Sequence, residues 1–118
     1  MSKNKYLRKN EFRYNTNPAV KNPRGQGHMA YVSVRKGHKA KINIITHSTT
    51  FFGEPTVKMK YNPNLSKPSK RPSRFSIPVW EKDKYLKEKP NDTWRLSKVD
   101  RSAIRKFNVK YEKKNKRK

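Results

Sequence analysis

The sequence predicts an α+β domain: a small, strongly bent antiparallel sheet or open β-barrel of about five strands, a C-terminal helix and basic flexible arms. Three observations predict it. Apolar residues alternate with polar ones in the middle of the chain, and they recur at helical spacing near the C terminus. Only 31% of the 118 residues are hydrophobic, yet 11% are aromatic, which favours one small core between solvated flanks. A flat four-stranded sheet packed on the helix is the alternative.

Residues 1–27 are interpreted as a basic flexible arm. They hold seven lysines and arginines against a single acid, Glu11, and two Asn-Pro pairs interrupt them. The aromatic residues Tyr6, Phe12 and Tyr14 stand among these cations. Such rings either stack on nucleic-acid bases or dock the arm onto the domain, and the sequence leaves both interpretations open.

A β-hairpin follows the arm. Met29 to Val34 and Ala40 to Ile44 each alternate between apolar and polar side chains, which is the period of a half-buried strand. The intervening Lys-Gly-His-Lys stretch supplies the turn. Gly37 is the residue expected at positive φ, because glycine adopts that conformation without steric cost.

Two further strands are predicted, separated by a loop. Residues 56–61 alternate again and form a third strand, and residues 66–74 are a basic connector rich in proline and serine. Residues 75–79 are predicted to form a fourth strand. Because Pro78 donates no ladder hydrogen bond, this strand should lie at an edge of the sheet or end at the proline. Residues 81–92 contain four of the eight acids and are expected to form a solvated turn or short helix.

The C-terminal part predicts a short fifth strand at 93–96 and then a helix. Ser97 and Asp100 have the spacing of a capping box at a helix start. Apolar residues then recur at helical intervals, and they are Val99, Ala103, Ile104, Phe107 and Tyr111. The helix should run for about three to four turns before a basic tail. We therefore expect a domain at 28–112 and a tail at 113–118.

The charge of the chain indicates its partner. Thirty-two lysines and arginines against eight acids give a formal net charge of +24. Self-repulsion on this scale opposes compaction unless a polyanion neutralises it, and nucleic acid is the leading polyanion because bound cations release condensed counterions. No apolar run approaches the roughly 18 residues of a membrane span, so we expect no membrane partner.

Composition also excludes several kinds of site. The chain has no cysteine, which rules out disulfides, zinc-thiolate centres and thiol nucleophiles, and suits the cytoplasm. Only four glycines are present, and no glycine-rich phosphate loop occurs, which argues against a nucleoside triphosphate pocket. We expect no cofactor, and we expect no metal because the histidines are irregularly spaced.

Aromatic residues interleaved with cations favour RNA over duplex DNA, because cations bind phosphates and flat rings stack on unpaired bases. The terminal helix is the only element that could enter a groove. Nucleic-acid contacts are predicted on outward strand positions, loops and this helix. The residues are Lys36, Lys39, Lys58, Lys60, Lys67, Lys70, Arg71, Arg74, Arg101, Arg105, Tyr31, Phe51 and Trp80.

A candidate catalytic site lies in the stretch KINIITHSTTFFG, residues 41–53. Metal-free RNA cleavage needs a base for the 2′-hydroxyl proton, a proton donor for the leaving oxygen and a cation at the phosphorus. His47, with Thr46, Ser48 and Lys41 near it in sequence, could meet those needs at the end of the second hairpin strand. The alternative is a histidine and a threonine that merely cap a turn.

The order of a basic hairpin, NIITHSTTFFG, TVKMKYNPN, a lysine-rich loop and SKVDRSAIRKFN resembles the small endoribonuclease toxins of the MazF/PemK and ToxN-like type. The resemblance spans roughly residues 29 to 110. It implies a compact SH3-like barrel with helices that cuts RNA without metal and is restrained by an antitoxin. It also implies that Lys41 or Arg35, with Thr46 and Ser48, takes part in cleavage.

Two functional hypotheses follow, both with RNA as the partner. The first is a metal-independent endoribonuclease toxin, neutralised by an acidic antitoxin protein or by an RNA. The second is a non-catalytic RNA-binding accessory protein, associated with the ribosome or with a mobile element. A DNA-binding role is the third interpretation, because surplus positive charge also suits duplex DNA.

Overall fold

The computed structural model describes residues 12–18, 27–65, 71–87 and 94–116. These segments contain one α-helix and a mostly antiparallel sheet, which confirms the predicted α+β class. The elements are β1 (Phe12–Asn15), β2 (His28–Lys36), β3 (Lys39–Thr46), β4 (Thr50–Phe51), β5 (Glu54–Pro55), β6 (Val57–Lys58), β7 (Arg74–Phe75), β8 (Val79–Lys82), β9 (Leu86–Lys87) and α1 (Lys98–Lys116).

The predicted hairpin is confirmed as β2 and β3. Lys36 faces Lys39 across a two-residue turn, and Gly37 takes the expected positive φ, at 63°. The register shifts between Val32 and Val34, where a bulge interrupts the ladder. The alternation fails beyond that point, and Val34 is 42% exposed.

Strand β3 organises the sheet because other strands pair with both of its edges. One edge pairs with β2, and the other pairs with β8 near the start of β3 and with β7 near its end. The order along the main path is β6-β7-β3-β2-β1-β9, and β4 and β5 form a separate small hairpin. The strands of the described segments do not close into a barrel, and β6 and β9 are the two ends of this path.

The interpretation of residues 1–27 as an arm is wrong for β1. Phe12–Asn15 pairs antiparallel with β2 and, on its other side, with β9. Phe12 is only 2% exposed and packs in the core, so burial of its ring outweighs the basic character of its neighbours. Residues 1–11 and 19–26 of the predicted arm lie outside the described residues.

The predicted solvated turn or short helix at 81–92 is confirmed only at Asp83–Tyr85, which form a 3-10 turn between β8 and β9. Residues 88–92 of that prediction lie outside the described residues. Glu81 is buried because amides from the end of β1 receive it: Asn15 Nδ2 donates to its carboxylate at 3.2 Å, and Asn17 Nδ2 donates at 3.0 and 3.1 Å. A buried carboxylate is tolerated when it is hydrogen-bonded in this way.

The core has two parts, one on each face of the sheet. The face covered by α1 holds mainly large side chains, namely Phe12, Met29, Tyr31, Ile45, Met59, Phe75, Leu96 and Ile104. The opposite face holds smaller ones, namely Ala30, Val32, Ala40, Ile42, Ile44 and Leu86. Successive residues of β3 point to opposite faces, so a single strand contributes to both parts.

The helix begins as the capping-box spacing predicts. Asp100 N donates to Ser97 Oγ at 3.0 Å, and Ser97 Oγ donates to the Asp100 carboxylate at 2.7 Å. The same carboxylate accepts from the backbone N–H groups of Lys60 and Tyr61, at 2.7 and 3.1 Å. The cap therefore also ties the helix to the segment after β6.

Several predicted boundaries need correction. The helix has 19 residues and ends at Lys116, so the predicted tail at 113–118 begins inside it. Val99 is 51% exposed and does not belong to its buried face. The fifth strand reduces to a bridge between Asn64 and Trp94, and the third strand is only Val57–Lys58. No helix of the described segments is both long enough and apolar enough to span a membrane.

Candidate active site and nucleic-acid interface

One row of three residues crosses the sheet at the end of β3. Thr46 faces Arg74 in the β3–β7 ladder, and Arg74 faces Lys58 in the β6–β7 ladder. Directly opposed residues of an antiparallel pair project from the same face, with Cβ atoms about 5 Å apart. A hydroxyl and two cations are therefore displayed side by side, on the face opposite to α1.

A chain of hydrogen bonds fixes the arginine of this row. Ser48 N donates to Thr46 Oγ1 at 3.1 Å, and Thr56 Oγ1 donates to the carbonyl oxygen of Ser48 at 2.6 Å. Arg74 donates twice to Thr56, from Nε to Oγ1 at 2.7 Å and from Nη2 to the carbonyl oxygen at 3.0 Å. A guanidinium has five N–H donors in a planar fork, so donors on the Nη groups remain for an anion.

His47 stands next to this row, and one hydrogen bond sets the position of its proton. Its Nδ1 lies 3.0 Å from the carbonyl oxygen of Pro72. A carbonyl only accepts, so Nδ1 carries the proton and Nε2 of the neutral ring keeps a lone pair. The residue is exposed, and Pro72 is two residues before Arg74. His47 thus follows β3 directly and is hydrogen-bonded to the segment that leads into β7, the strand that begins at Arg74.

The other two predicted catalytic residues lie elsewhere. Lys41 is five residues before Thr46 on an extended strand, a separation of about 17 Å, and its Nζ is 2.7 Å from Glu112 Oε1. Arg35 Nη1 is 2.9 Å from Asp83 Oδ1. Thr46, His47 and Ser48 are consecutive residues, and Ser48 N donates to Thr46 Oγ1, whereas the ion pairs hold these two cations in other parts of the structure.

Sequence reasoning missed Thr56 altogether and placed Arg74 in the basic connector as a phosphate contact. Nothing local distinguishes these two residues, because their relationship depends on the pairing of β6 with β7. Thr56 is 5% exposed although it is polar, and it satisfies its hydroxyl within the cluster. Its hydroxyl and its carbonyl oxygen both accept from Arg74 and so fix the orientation of the guanidinium.

The predicted nucleic-acid contacts divide by exposure. Arg74, Arg101 and Phe51 are half-buried, and Trp80 is 49% exposed. The exposed cations are Lys36, Lys39, Lys58, Lys60, Arg71 and Arg105. Lys67 and Lys70 lie outside the described residues.

Tyr31 needs correction as a base-stacking residue. It is 3% exposed and packs edge-on against Phe12, with ring centroids 5.8 Å apart. Its ring is part of the core and offers no face to a base. The residue sits on the inward side of β2 because that side is covered by the helix.

The acids do little to offset the positive surface. Five of the eight acids fall in the described segments, and four of those five form hydrogen bonds or ion pairs with other residues of the chain. Those four are Glu81, Asp83, Asp100 and Glu112. The outward face of α1 consequently presents only cations among its charged residues, namely Lys98, Arg101, Arg105, Lys106, Lys110 and Lys113. Within the described residues no three His, Cys, Asp or Glu side chains are grouped so as to hold a metal ion.

Comparison with known protein families, with curated proteins and with solved structures finds no match to this chain.

Proposed function

We propose that this protein binds single-stranded or loop RNA and cleaves it as a metal-independent endoribonuclease. The observation that carries the proposal is the row of Thr46, Arg74 and Lys58 beside His47. It groups a base, a fixed guanidinium, a hydroxyl and an ammonium at the rim of a rigid sheet. Those groups are the ones that transfer of a phosphoryl group to a neighbouring 2′-hydroxyl requires.

The proposed reaction assigns each group one task. His47 Nε2 takes the proton of a 2′-hydroxyl while that oxygen attacks the adjacent phosphorus. Donors of Arg74 that Thr56 leaves available stabilise the charge that builds on the phosphorane oxygens. Lys58 donates a proton to the departing 5′-oxygen. The bond from phosphorus to that oxygen breaks, and the products are a 2′,3′-cyclic phosphate and a free 5′-hydroxyl.

The positive surface supports RNA binding independently of cleavage. Internal contacts occupy most of the described acids, so the outer face of α1 and the strand lysines meet the solvent as cations. Phosphate contacts of this kind supply most non-specific affinity for nucleic acid. Exposed rings such as Trp80 provide stacking surfaces for unpaired bases, which favours RNA loops over duplex DNA.

A non-catalytic RNA-binding role is the second candidate. The hydrogen bonds of Thr46 and Ser48 are also those of a capped turn: Ser48 Oγ donates to the carbonyl oxygen of Thr50 at 2.7 Å. The same surface would then hold RNA without cutting it. Cleavage, rather than binding, separates the two candidates.

The curvature of the sheet supports an SH3-like architecture for the proposed enzyme. β8 pairs with β3, and β9 pairs with β1, yet a single 3-10 turn connects β8 to β9. The continuous segment from β8 to β9 thus connects the β3 side of the sheet to the β1 side. A small barrel that is close to closure requires such a connection. On this proposal the protein is a cytoplasmic toxin, and an acidic antitoxin protein or a neutralising RNA covers its cationic surface.

A cleavage assay with two histidine variants tests the proposal. Purified protein is incubated with end-labelled RNA in EDTA, and the ends of the products are identified. We expect 2′,3′-cyclic phosphate ends, and we expect His47→Ala to abolish them. His38→Ala is the matched control, because His38 is also exposed but lies in the hairpin turn. RNA that is retarded in a gel yet stays intact in every buffer would refute the nuclease and favour the second candidate.

A further inference from the structure

A cavity of about 550 Å³ opens between the β5–β6 segment and the C-terminal half of α1. Its walls are largely apolar: Val57 and Ile77 contribute from the sheet side, and Phe107 and Tyr111 contribute from the helix. The two rings are almost parallel, with an interplanar angle of 17° and centroids 6.2 Å apart. A volume in this range accommodates a small organic ligand.

The charged groups at the cavity are cationic with one exception. Lys110 and Lys114 border it from the helix, and both are exposed. Glu54 borders it from β5, and this exposed carboxylate can accept hydrogen bonds from the amino groups of a base. Aromatic walls, two ammonium groups and one acceptor match a nucleotide: the ring system enters, and its phosphates remain at the rim.

The cavity is continuous with the candidate active site through one residue. Thr56 lines the cavity, and it is also the residue to which Arg74 donates from Nε and Nη2. The row containing Arg74 projects from the opposite face of the sheet, so the short strand β6 lies between row and cavity. A strand of RNA that passes over β6 can place a phosphate at Arg74 and an adjoining base in the cavity.

We propose that this cavity is a nucleobase subsite that holds one unpaired base of the bound RNA against the Tyr111 side of α1. The inference rests on the proposed RNA binding, but it does not require cleavage. It adds a means of selecting unpaired RNA, because only a base released from stacking and pairing can enter a cavity lined by rings. Lys110 and Lys114 hold the neighbouring phosphates.

The test uses a short single-stranded RNA that carries one 2-aminopurine and 2′-O-methyl groups throughout, so that it cannot be cut. Binding is followed through the 2-aminopurine fluorescence, which stacking quenches. Tyr111→Leu should lower the affinity roughly tenfold and relieve the quenching, as expected for loss of one base–aromatic stack. Tyr111→Phe should retain both signals, because the ring remains.

Tyr85→Leu is the matched control. Tyr85 is another half-buried tyrosine beside a lysine, with Lys84 Nζ 5.1 Å from its ring centroid, but it lies in the 3-10 turn. It should leave both signals unchanged. Thermal unfolding of each variant shows whether the fold is intact, and Lys110→Gln/Lys114→Gln tests the rim without altering the walls.

Each outcome decides the matter. If wild type and Tyr111→Leu show equal affinity and equal quenching, the subsite is overturned. It is also overturned if Tyr111→Leu instead changes the oligomeric state, because the cavity would then bind a second copy of the chain. If Tyr111→Leu is unfolded, the double variant Lys110→Gln/Lys114→Gln is used instead. An RNA affinity equal to that of the wild type in this variant overturns the subsite. Loss of quenching in Tyr111→Leu upholds it even if unmodified RNA is never cleaved, so failure of the nuclease proposal remains distinguishable.

Discussion

Thr56 binds Arg74 through both of its oxygens: the side chain accepts from Nε at 2.7 Å and the carbonyl accepts from Nη2 at 3.0 Å. The pair holds the guanidinium plane in one orientation before any anion arrives. Preorganised donors stabilise developing charge more effectively than mobile ones, because no reorientation is needed during the reaction.

Replacing Thr56 with valine should therefore impair cleavage while the fold survives. Valine keeps the shape and the backbone carbonyl but removes the acceptor for Nε, so Arg74 is held by one contact instead of two. We expect kcat to fall about 10- to 100-fold, a range set by the loss of one oriented donor. The free energy of unfolding should fall by only about 1–2 kcal/mol.

The control for this variant is Thr50→Val, because Thr50 is an exposed threonine of the neighbouring β4 strand. Single-turnover rates and urea unfolding are measured for both proteins. Equal kcat values for Thr56→Val and the wild type would show that the orientation of Arg74 is irrelevant to the reaction.

Substitution of Phe52 in the β4–β5 turn should have opposite effects on the stability of the protein and on its RNA binding. Phe52 and Gly53 form this turn with φ values of 55° and 73°, and Phe52 is the only non-glycine residue of the described segments at positive φ. Its ring is 43% exposed and rests edge-on against Phe51. A bulky residue in this conformation costs about 1 kcal/mol, and asparagine tolerates it better.

Phe52→Asn should accordingly raise the free energy of unfolding by about 1 kcal/mol and weaken RNA binding several-fold, because one exposed stacking ring is lost. Chemical denaturation and fluorescence anisotropy measure the two effects. Leu65→Asn is the comparison, since Leu65 is similarly exposed, at 47%, but has no positive φ. Loss of stability in Phe52→Asn, with unchanged affinity, would indicate a purely structural ring.

A buried pair of amide side chains links the sheet to the helix. Asn43 Nδ2 donates to Asn108 Oδ1 at 2.9 Å, and Asn108 Nδ2 donates to Asn43 Oδ1 at 3.0 Å. Asn43 Nδ2 also donates to the carbonyl oxygen of Ser76 at 2.8 Å. Asn43 is 0% and Asn108 is 5% exposed, so neither amide can turn to water.

Asn108→Ala should lower the free energy of unfolding by about 2 kcal/mol, because Asn43 Oδ1 is left buried without its donor. Ser102→Ala on the exposed side of the same helix should change it by less than about 0.5 kcal/mol. Urea unfolding is also measured for the double variant Asn43→Ala/Asn108→Ala. Its loss of unfolding free energy should be smaller than the sum of the losses in the two single variants. Strict additivity would mean that the two amides do not act as a pair.

The cations on the outward face of α1 should determine part of the salt dependence of RNA binding. Arg105 and Lys106 are exposed on this face, and Arg101 is half-buried beside them, so the three cations form one positively charged patch that can contact phosphates. Changing Arg101, Arg105 and Lys106 together to glutamine should reduce the slope of log affinity against log salt by up to about 2, or about 0.7 per lost phosphate contact.

The matched control removes the same charge from another part of the surface. Lys82, Lys84 and Lys87 are exposed around β8 and β9, and their triple glutamine variant should change the slope less. Affinities are measured across a salt series with one single-stranded RNA. Equal slopes for the two triple variants would show that binding responds to net charge and not to the face of α1.

Part of the site could be predicted from the sequence. Thr46, His47 and Ser48 lie near one another because they are consecutive residues at the end of β3, so their proximity follows from the sequence. Lys41 is equally near in sequence but is carried about 17 Å away by the extended backbone. Arg74 entered the prediction for its charge alone, and its fixed orientation could not be foreseen.

The sequence by itself determined the features that depend on near neighbours. Alternation and Gly37 determined the hairpin, since a two-residue turn sets the register of the strands that flank it. Ser97 and Asp100 determined the start of the helix, because the capping contacts span three residues. The net charge of +24 needs no structure at all.

Only the tertiary structure decided how distant segments combine. Arg74 and Thr56 are 18 residues apart, and Asn15 and Glu81 are 66 apart, so neither contact leaves a local pattern. Phe12 joined the sheet and Tyr31 left the surface because burial against α1 stabilises both rings more than exposure would. Long-range packing therefore set which polar residues meet at the site, and local propensity set only where each strand and helix begins.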